Sequence, residues 1–205
     1  MKTEIRSISQ PPTITEGKTV EGYAAVFHNP AERGTEYKLC DDIVEHIDPQ
    51  AFQRAIAQKQ PCRCLVNHDP NYRLGRVDKG TLRLTTDERG LKYEADIPDT
   101  QVGRDTATDL ANGNLDGSSF SFSVVGQRWE DVKRGDDYMT IRTITDVDLY
   151  DVGPVGFPAY EATTAGIRSA ERMEDVIAQR DAWRAANKES VATRLRVIEI
   201  QESLE

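Results

Sequence analysis

The sequence predicts a mostly β domain with a few helices, of the α+β class, followed by a helical tail, and three observations carry that reading. Between residues 20 and 168, short runs of strand-forming residues are broken by turn residues about every ten positions, which is the rhythm of β structure. Only two windows inside that stretch carry helix signals. From residue 169 onward there is no glycine or proline, and Met173, Val176, Ile177, Arg180 and Trp183 fall at helical spacing. The chain therefore divides into an N-terminal extension (1–19), a domain (20–168) and a C-terminal helical tail (169–205).

The strands can be taken in order. Val20 to Phe27, with small and aromatic residues suited to close packing, reads as the first and Asp42 to Ile47 as the second. Asp48-Pro49 ahead of Ala51 to Ile56 supplies an acidic N-cap and a proline at the first helical position, so a short helix follows. Cys62 to Asn67 is a buried strand ending at His68. Leu74 to Lys79, Thr81 to Asp87 and Leu91 to Ile97, separated by Gly80 and by Asp87-Glu88-Arg89-Gly90, predict a three-stranded meander. Thr100 to Asn112 is a helix stopped by Gly113. In Ser118 to Val125, Phe120, Phe122 and Val124 share one face and Ser119, Ser121 and Ser123 the other. A further strand pair spans Trp129 and Met139 to Val152. The tail reads as two helices broken near Asn187, able to pack on the domain or to pair with another chain.

Composition narrows the function. Of the 205 residues, 30% are charged and 38% hydrophobic, which fits a folded soluble chain and excludes a disordered one. A net charge of −9 repels a phosphate backbone, so nucleic acid is not an expected partner. No window of about 18 apolar residues exists and Met1 to Arg6 lacks a secretory run, so a membrane is not expected either and the protein should stay in the cytosol. Cys40, Cys62 and Cys64 are an odd set and read as reduced thiols.

Chemistry needs a nucleophile and a base. A serine hydroxyl is inert until a base takes its proton, and a third group usually holds that base in the right tautomer. Of three histidines, His68 stands out, because it follows the apolar strand Cys64-Leu65-Val66 and heads the turn Asn67-His68-Asp69-Pro70, where it can face a cleft; the same four residues also suit an ordinary turn. Ser119 follows Gly117, which lets backbone amides approach an oxyanion, although a hydroxyl-rich solvent face explains the serines equally. Ser118 is the competing nucleophile. Asp146-Val147-Asp148-Leu149-Tyr150-Asp151 offers carboxylates near a strand end, with Asp148 and Asp151 on opposite faces. Cys62, Cys64 and His68 suggest a metal, but the tetrahedral set is incomplete.

Several segments, in this order and spacing, resemble the prohead protease family of tailed phages, relatives of the herpesvirus assemblin. They are Glu21 to Phe27, Asp48-Pro49-Gln50-Ala51-Phe52, Asn67-His68-Asp69, Leu74-Gly75-Arg76, Gly113 to Phe122, and Asp151 through Tyr160. The resemblance implies His68 as the catalytic base, Ser119 as nucleophile and Asp151 as the third, acidic member. Arg76, in Leu74-Gly75-Arg76, is a candidate for oxyanion support through a water or loop, although a surface arginine on a hairpin explains it equally. Members commonly carry glutamate where Asp151 stands and glycine where Ser121 stands. The resemblance also implies a small β-barrel ringed by helices and no cofactor. It implies a serine endopeptidase that cleaves scaffold, or the scaffolding segment of the major capsid protein, and itself, self-associating inside the assembling prohead in the host cytoplasm. The competing class is a non-enzymatic capsid assembly or scaffolding protein, which leaves His68 and Ser119 without a role.

Overall fold

The structure, a computed structural model, describes residues 2–15, 18–134, 137–158 and 170–187. Eleven strands and three α-helices occur among them: β1 (Glu4–Ile8), β2 (Thr13–Ile14), β3 (Thr19–Val26), β4 (Tyr37–Cys40), β5 (Ile43–Ile47), α1 (Gln53–Ala57), β6 (Arg63–Leu65), β7 (Arg73–Arg76), β8 (Leu82–Thr86), β9 (Gly90–Asp96), α2 (Gln101–Ala111), β10 (Gly117–Arg134), β11 (Asp137–Val155) and α3 (Ala170–Ala186). The class is α+β and mostly strand, as the alternation predicts.

One sheet runs β1-β10-β11-β5-β4, with β6 also on β11 and β7 on β6; a second runs β2-β3-β9-β8. Strand β11 is the spine of the first. One edge pairs antiparallel with β10 from Gly117↔Val155 to Arg134↔Asp137, and the other takes β5 beside Thr140 to Ile144 and β6 beside Asp151 and Val152, both parallel. Residues of both sheets share one core, in which the Phe52 ring meets Phe120 edge-on at 5.6 Å and Phe120 stacks on Phe122 at 4.8 Å. Burying such a ring stabilises by roughly 1.5–3 kcal/mol, so the phenylalanines hold β10 against the core and turn its serines to the other face.

The expected barrel does not close. Among the described residues no strand of one sheet is hydrogen-bonded into the other. At one corner Pro11 and Pro12, between β1 and β2, have no N–H to carry a ladder around. At another, the 3₁₀ turn Val77–Lys79 and the left-handed Gly80 (φ 72°) move the chain from β7 to β8. For the same reason the predicted meander is only the β8–β9 hairpin, since β7 pairs with β6. The strand around Trp129 is continuous with the serine strand: both lie in β10, which coils through register shifts after Ser121 and around Gly126. Asp48 does not cap α1; its Oδ1 accepts from the Gln50 amide in a turn, and the helix starts at Gln53. Helix α2 is as expected, with the Thr100 hydroxyl accepting from the Gly103 amide at its start and Gly113 left-handed (φ 74°) after its end. In the tail, α3 docks through Arg180 to Asp42 and Arg184 to Asp131 and Thr140; the second predicted tail helix lies outside the described residues.

Beside the core sits an ion cluster. Arg142 and Glu45 are wholly buried, 2.9 Å apart, and β1 completes the group with Glu4 on Arg142 and Arg6 on Glu45. Burial pushes the Glu4 carboxyl up, and the guanidiniums of Arg142 and Arg6 more than reverse that, holding it below its ordinary value. Its contribution to stability is thus present above the ordinary carboxylate range and is lost as pH falls below it. Because removing one partner strands the others, Glu45→Ala is expected to destabilise the fold by about 3–5 kcal/mol in urea unfolding at neutral pH.

Candidate active site

Strand β10 carries Ser119, Ser121 and Ser123 on the face away from Phe120 and Phe122. This face is not solvent: the three serines are 0%, 3% and 0% exposed, because β10 lies inside the sheet between β1 and β11. The hydroxyl-rich alternation therefore marks a buried polar row, and buried hydroxyls need partners.

His68 reaches that row from the turn after β6. Gly153 of β11 allows the approach, since a Cβ there would lie 2.0 Å from the Leu65 carbonyl oxygen. Asn67 and His68 are both left-handed, with φ of 53° and 58°, a conformation costing roughly 1–2 kcal/mol per non-glycine residue. The turn is pinned in compensation. The Asn67 amide donates to the Pro154 carbonyl at 3.0 Å, its side-chain oxygen accepts from the Gly156 amide at 3.0 Å, and the Asp69 amide closes on Val66 at 3.0 Å.

Asp151 stands directly across from Ser121, at a bulge where the register steps from Asp151 to Leu149. Its Oδ1 lies 2.5 Å from His68 Nδ1, and His68 Nε2 lies 2.7 Å from Ser119 Oγ. A carboxylate can only accept at Nδ1, which places the ring proton there and leaves Nε2 with its lone pair toward the hydroxyl. The Ser121 hydroxyl donates to the other carboxylate oxygen, Oδ2. Three residues far apart in the chain thus form one hydrogen-bonded line of serine, histidine and acid, the constellation that activates a hydroxyl for acyl transfer.

A family model for the caudovirus prohead serine protease matches residues 3–178. The chain belongs to that family. Prohead proteases are serine proteases of capsid maturation, and the sequence resemblance to them is thereby established over most of the chain. A solved structure, the capsid assembly protease of bacteriophage T4, is similar with 12% identity and a TM-score of 0.46, covering 75% of this chain and 97% of that one. Comparison with curated proteins gave no match.

In this member of the family the other candidates stand apart from the line. Ser118 faces the core side, its hydroxyl 3.1 Å from that of Tyr93. Arg76 is not brought to the site; its guanidinium grips Asp78 through two hydrogen bonds of 2.9 and 2.8 Å. Asp148 points away, bound to Arg54 at 2.8 Å and to Gln60 at 3.0 Å, and the Arg54 hydrogen bond holds its carboxyl below the ordinary value. Burial pushes the Cys62 and Cys64 thiols up, which disfavours the thiolates a metal would need, and His68 is committed to Ser119 and Asp151. Among the described residues a single group, His28, Glu36 and His46, has donor atoms close enough for an ion. The two imidazoles stack in parallel at 3.6 Å, so their in-plane lone pairs do not converge on one point, and Glu36 is held by Arg134.

Sequence reasoning missed three contributors. Ser121 was visible only as a member of the polar face, Asn67 only as a turn former, and β1 not at all. The β1 residue Ser7 pairs with Ser119 and donates to its Oγ at 3.0 Å, while the Ser119 hydroxyl reaches the Arg6 carbonyl at 2.8 Å. No local signal marks a strand whose role is to lie beside another. For the turn, Asn67→Ala removes the clamp on Gly156 and puts a less tolerant residue in a left-handed site. Thermal melting is expected to fall by an amount matching about 1–2 kcal/mol, and Asn67→Gly to lose less, because glycine accepts the conformation.

Proposed function

We propose that this chain is a serine endopeptidase in which Ser119 is the nucleophile, His68 the general base and Asp151 the group that orients and stabilises the imidazolium. The observation that supports it is the continuous hydrogen-bonded line from Ser119 through His68 to Asp151. His68 Nε2 takes the hydroxyl proton as Ser119 Oγ bonds to the peptide carbonyl carbon, and backbone N–H groups hold the oxyanion. The C–N bond then breaks, Nε2 gives its proton to the leaving amine, and water hydrolyses the acyl-enzyme by the same relay. Arg76, engaged by Asp78, has no part in this scheme.

The substrates proposed are the scaffold, or the scaffolding segment of the major capsid protein, and the protease itself, within the assembling prohead in the host cytoplasm and with copies of the chain self-associated there. Cleavage of the protease is assigned to segments outside the 20–168 domain, where backbone not held in a sheet is open to attack. In 1–19 that leaves out Glu4–Ile8, Thr13–Ile14 and Thr19, which are tied to β10, β3 and β9. A purely scaffolding role leaves the buried serine, histidine and acid without a function.

Co-expression with the cognate capsid and scaffold proteins, followed by mass spectrometry of the termini, tests the assignment. Ser119→Ala is expected to abolish processing of capsid substrate and protease alike, a loss of several orders of magnitude in rate. Ser118→Ala and Asp148→Asn should process normally, since neither side chain touches His68. Full processing by Ser119→Ala would end the proposal.

A further inference from the structure

We propose that Ser121 is a positioning residue of the catalytic machinery, fixing the Asp151 carboxylate for His68. This rests on the assignment of Ser119, His68 and Asp151 above. A carboxylate that orients an imidazole must itself be held, because it turns about its terminal bond and only one oxygen can face Nδ1. Here Oδ1 faces His68 and Oδ2 receives the Ser121 hydroxyl. The register enforces this: Ser121 and Asp151 are cross-strand partners at a bulge, both on the face of Ser119, and Ser121 is 3% exposed, so little water reaches Oδ2 to replace the hydroxyl. A glutamate at 151 is one methylene longer and brings its carboxyl toward the Ser121 side chain, so loss of that side chain is expected to make room for it.

The geometry therefore predicts a pattern across variants, read as the initial rate of capsid-substrate processing in co-expression with matched protein levels. Ser121→Ala leaves Oδ2 unheld and slows processing by roughly 10- to 100-fold, the cost of a misplaced catalytic group. Ser121→Thr keeps the hydroxyl and retains most of the rate. Asp151→Glu alone is slow, and Asp151→Glu with Ser121→Gly is faster than Asp151→Glu alone. A merely structural serine would give no rescue by lengthening the acid, and melting temperatures of the purified variants separate folding loss from rate loss. Wild-type processing by Ser121→Ala, or a double variant no faster than Asp151→Glu, overturns the proposal. Processing by Ser119→Ala in the same series would instead overturn the assignment on which it rests.

A separate observation concerns access, and from it we infer that β1 is a cover that leaves the edge of β10 before Ser119 meets a substrate. Ser119 is 0% exposed, and its hydroxyl has one proton, which cannot go both to the Arg6 carbonyl and to His68 Nε2. Arg6 presents its carbonyl oxygen to the hydroxyl, whereas a bond under attack presents its carbon with the oxygen held by donors, so β1 sits as a block and not as a substrate. Its departure is feasible electrostatically. Glu4 and Arg6 pair with each other at 2.6 Å, and Arg142 and Glu45 pair at 2.9 Å, so β1 takes one matched pair and leaves another. Pro11 and Pro12 interrupt the backbone ladder behind it.

The test uses the full chain, with a fluorophosphonate as probe of Ser119. Ile8 and Ser118 are cross-strand partners. In a Cys40→Ser background, Ile8→Cys with Ser118→Cys is expected to label roughly tenfold more slowly when oxidised than when reduced, as opening of the strand is blocked. Arg6→Glu, which sets three carboxylates together and expels β1, is expected to label roughly tenfold faster than the unaltered chain. Equal labelling of the oxidised and reduced forms overturns the inference, as does an Arg6→Glu variant that melts cooperatively and labels no faster. Labelling that persists in Ser119→Ala would count against the nucleophile assignment instead.

Discussion

The pairing of β10 with β11 is the interaction on which the rest of the site depends. It sets Ser121 across from Asp151, with Ser119 two residues along, and it places the bulge that lets Asp151 and Leu149 face successive partners. A slip of one residue would exchange the serine face for the phenylalanine face along the whole strand. That slip is prevented from the other side, where Phe120 and Phe122 are locked into the core with Phe52. The apolar half of β10 thus determines the geometry of its polar half.

The second strand edge of β11 is equally part of the chemistry. By taking β6 in parallel beside Asp151 and Val152, it delivers the turn carrying His68 to the correct depth. Gly153 permits the close approach and Asn67 ties the turn to the segment beyond β11. The left-handed pair Asn67 and His68 is strained locally, and its cost is offset by hydrogen bonds that the rest of the fold supplies. For His68 in its proposed role of base, a rigid imidazole on a strained turn suits a proton transfer that tolerates little misplacement.

Under the proposed function, the same surroundings also restrain catalysis. The Ser119 hydroxyl is engaged by β1 on one side and by His68 on the other, so in its proposed role of nucleophile it is assembled but covered. On the proposed reading, this arrangement keeps the reacting groups in place yet out of reach until β1 leaves, which suits a protease meant to act only after a shell has formed.

Much of this was legible in the residues. The resemblance of the ordered short motifs to a family implied His68, Ser119 and Asp151, while period-two alternation in Ser118 to Val125 determined the strand and its two faces and Thr100 and Gly113 bounded a helix. These are local properties, set by the pleat of a strand and by caps whose chemistry is written within a few residues. What the sequence did not determine is which strand lies beside which. That the serine face is buried, that β7 leaves the meander, that Arg76 turns to Asp78, that the sheets do not close into a barrel, and that β1 covers Ser119 were all decided by tertiary structure. Each of these depends on pairing between residues distant in the chain, where hydrogen bonds join any backbone to any other, and only the packing of the whole core selects one partner.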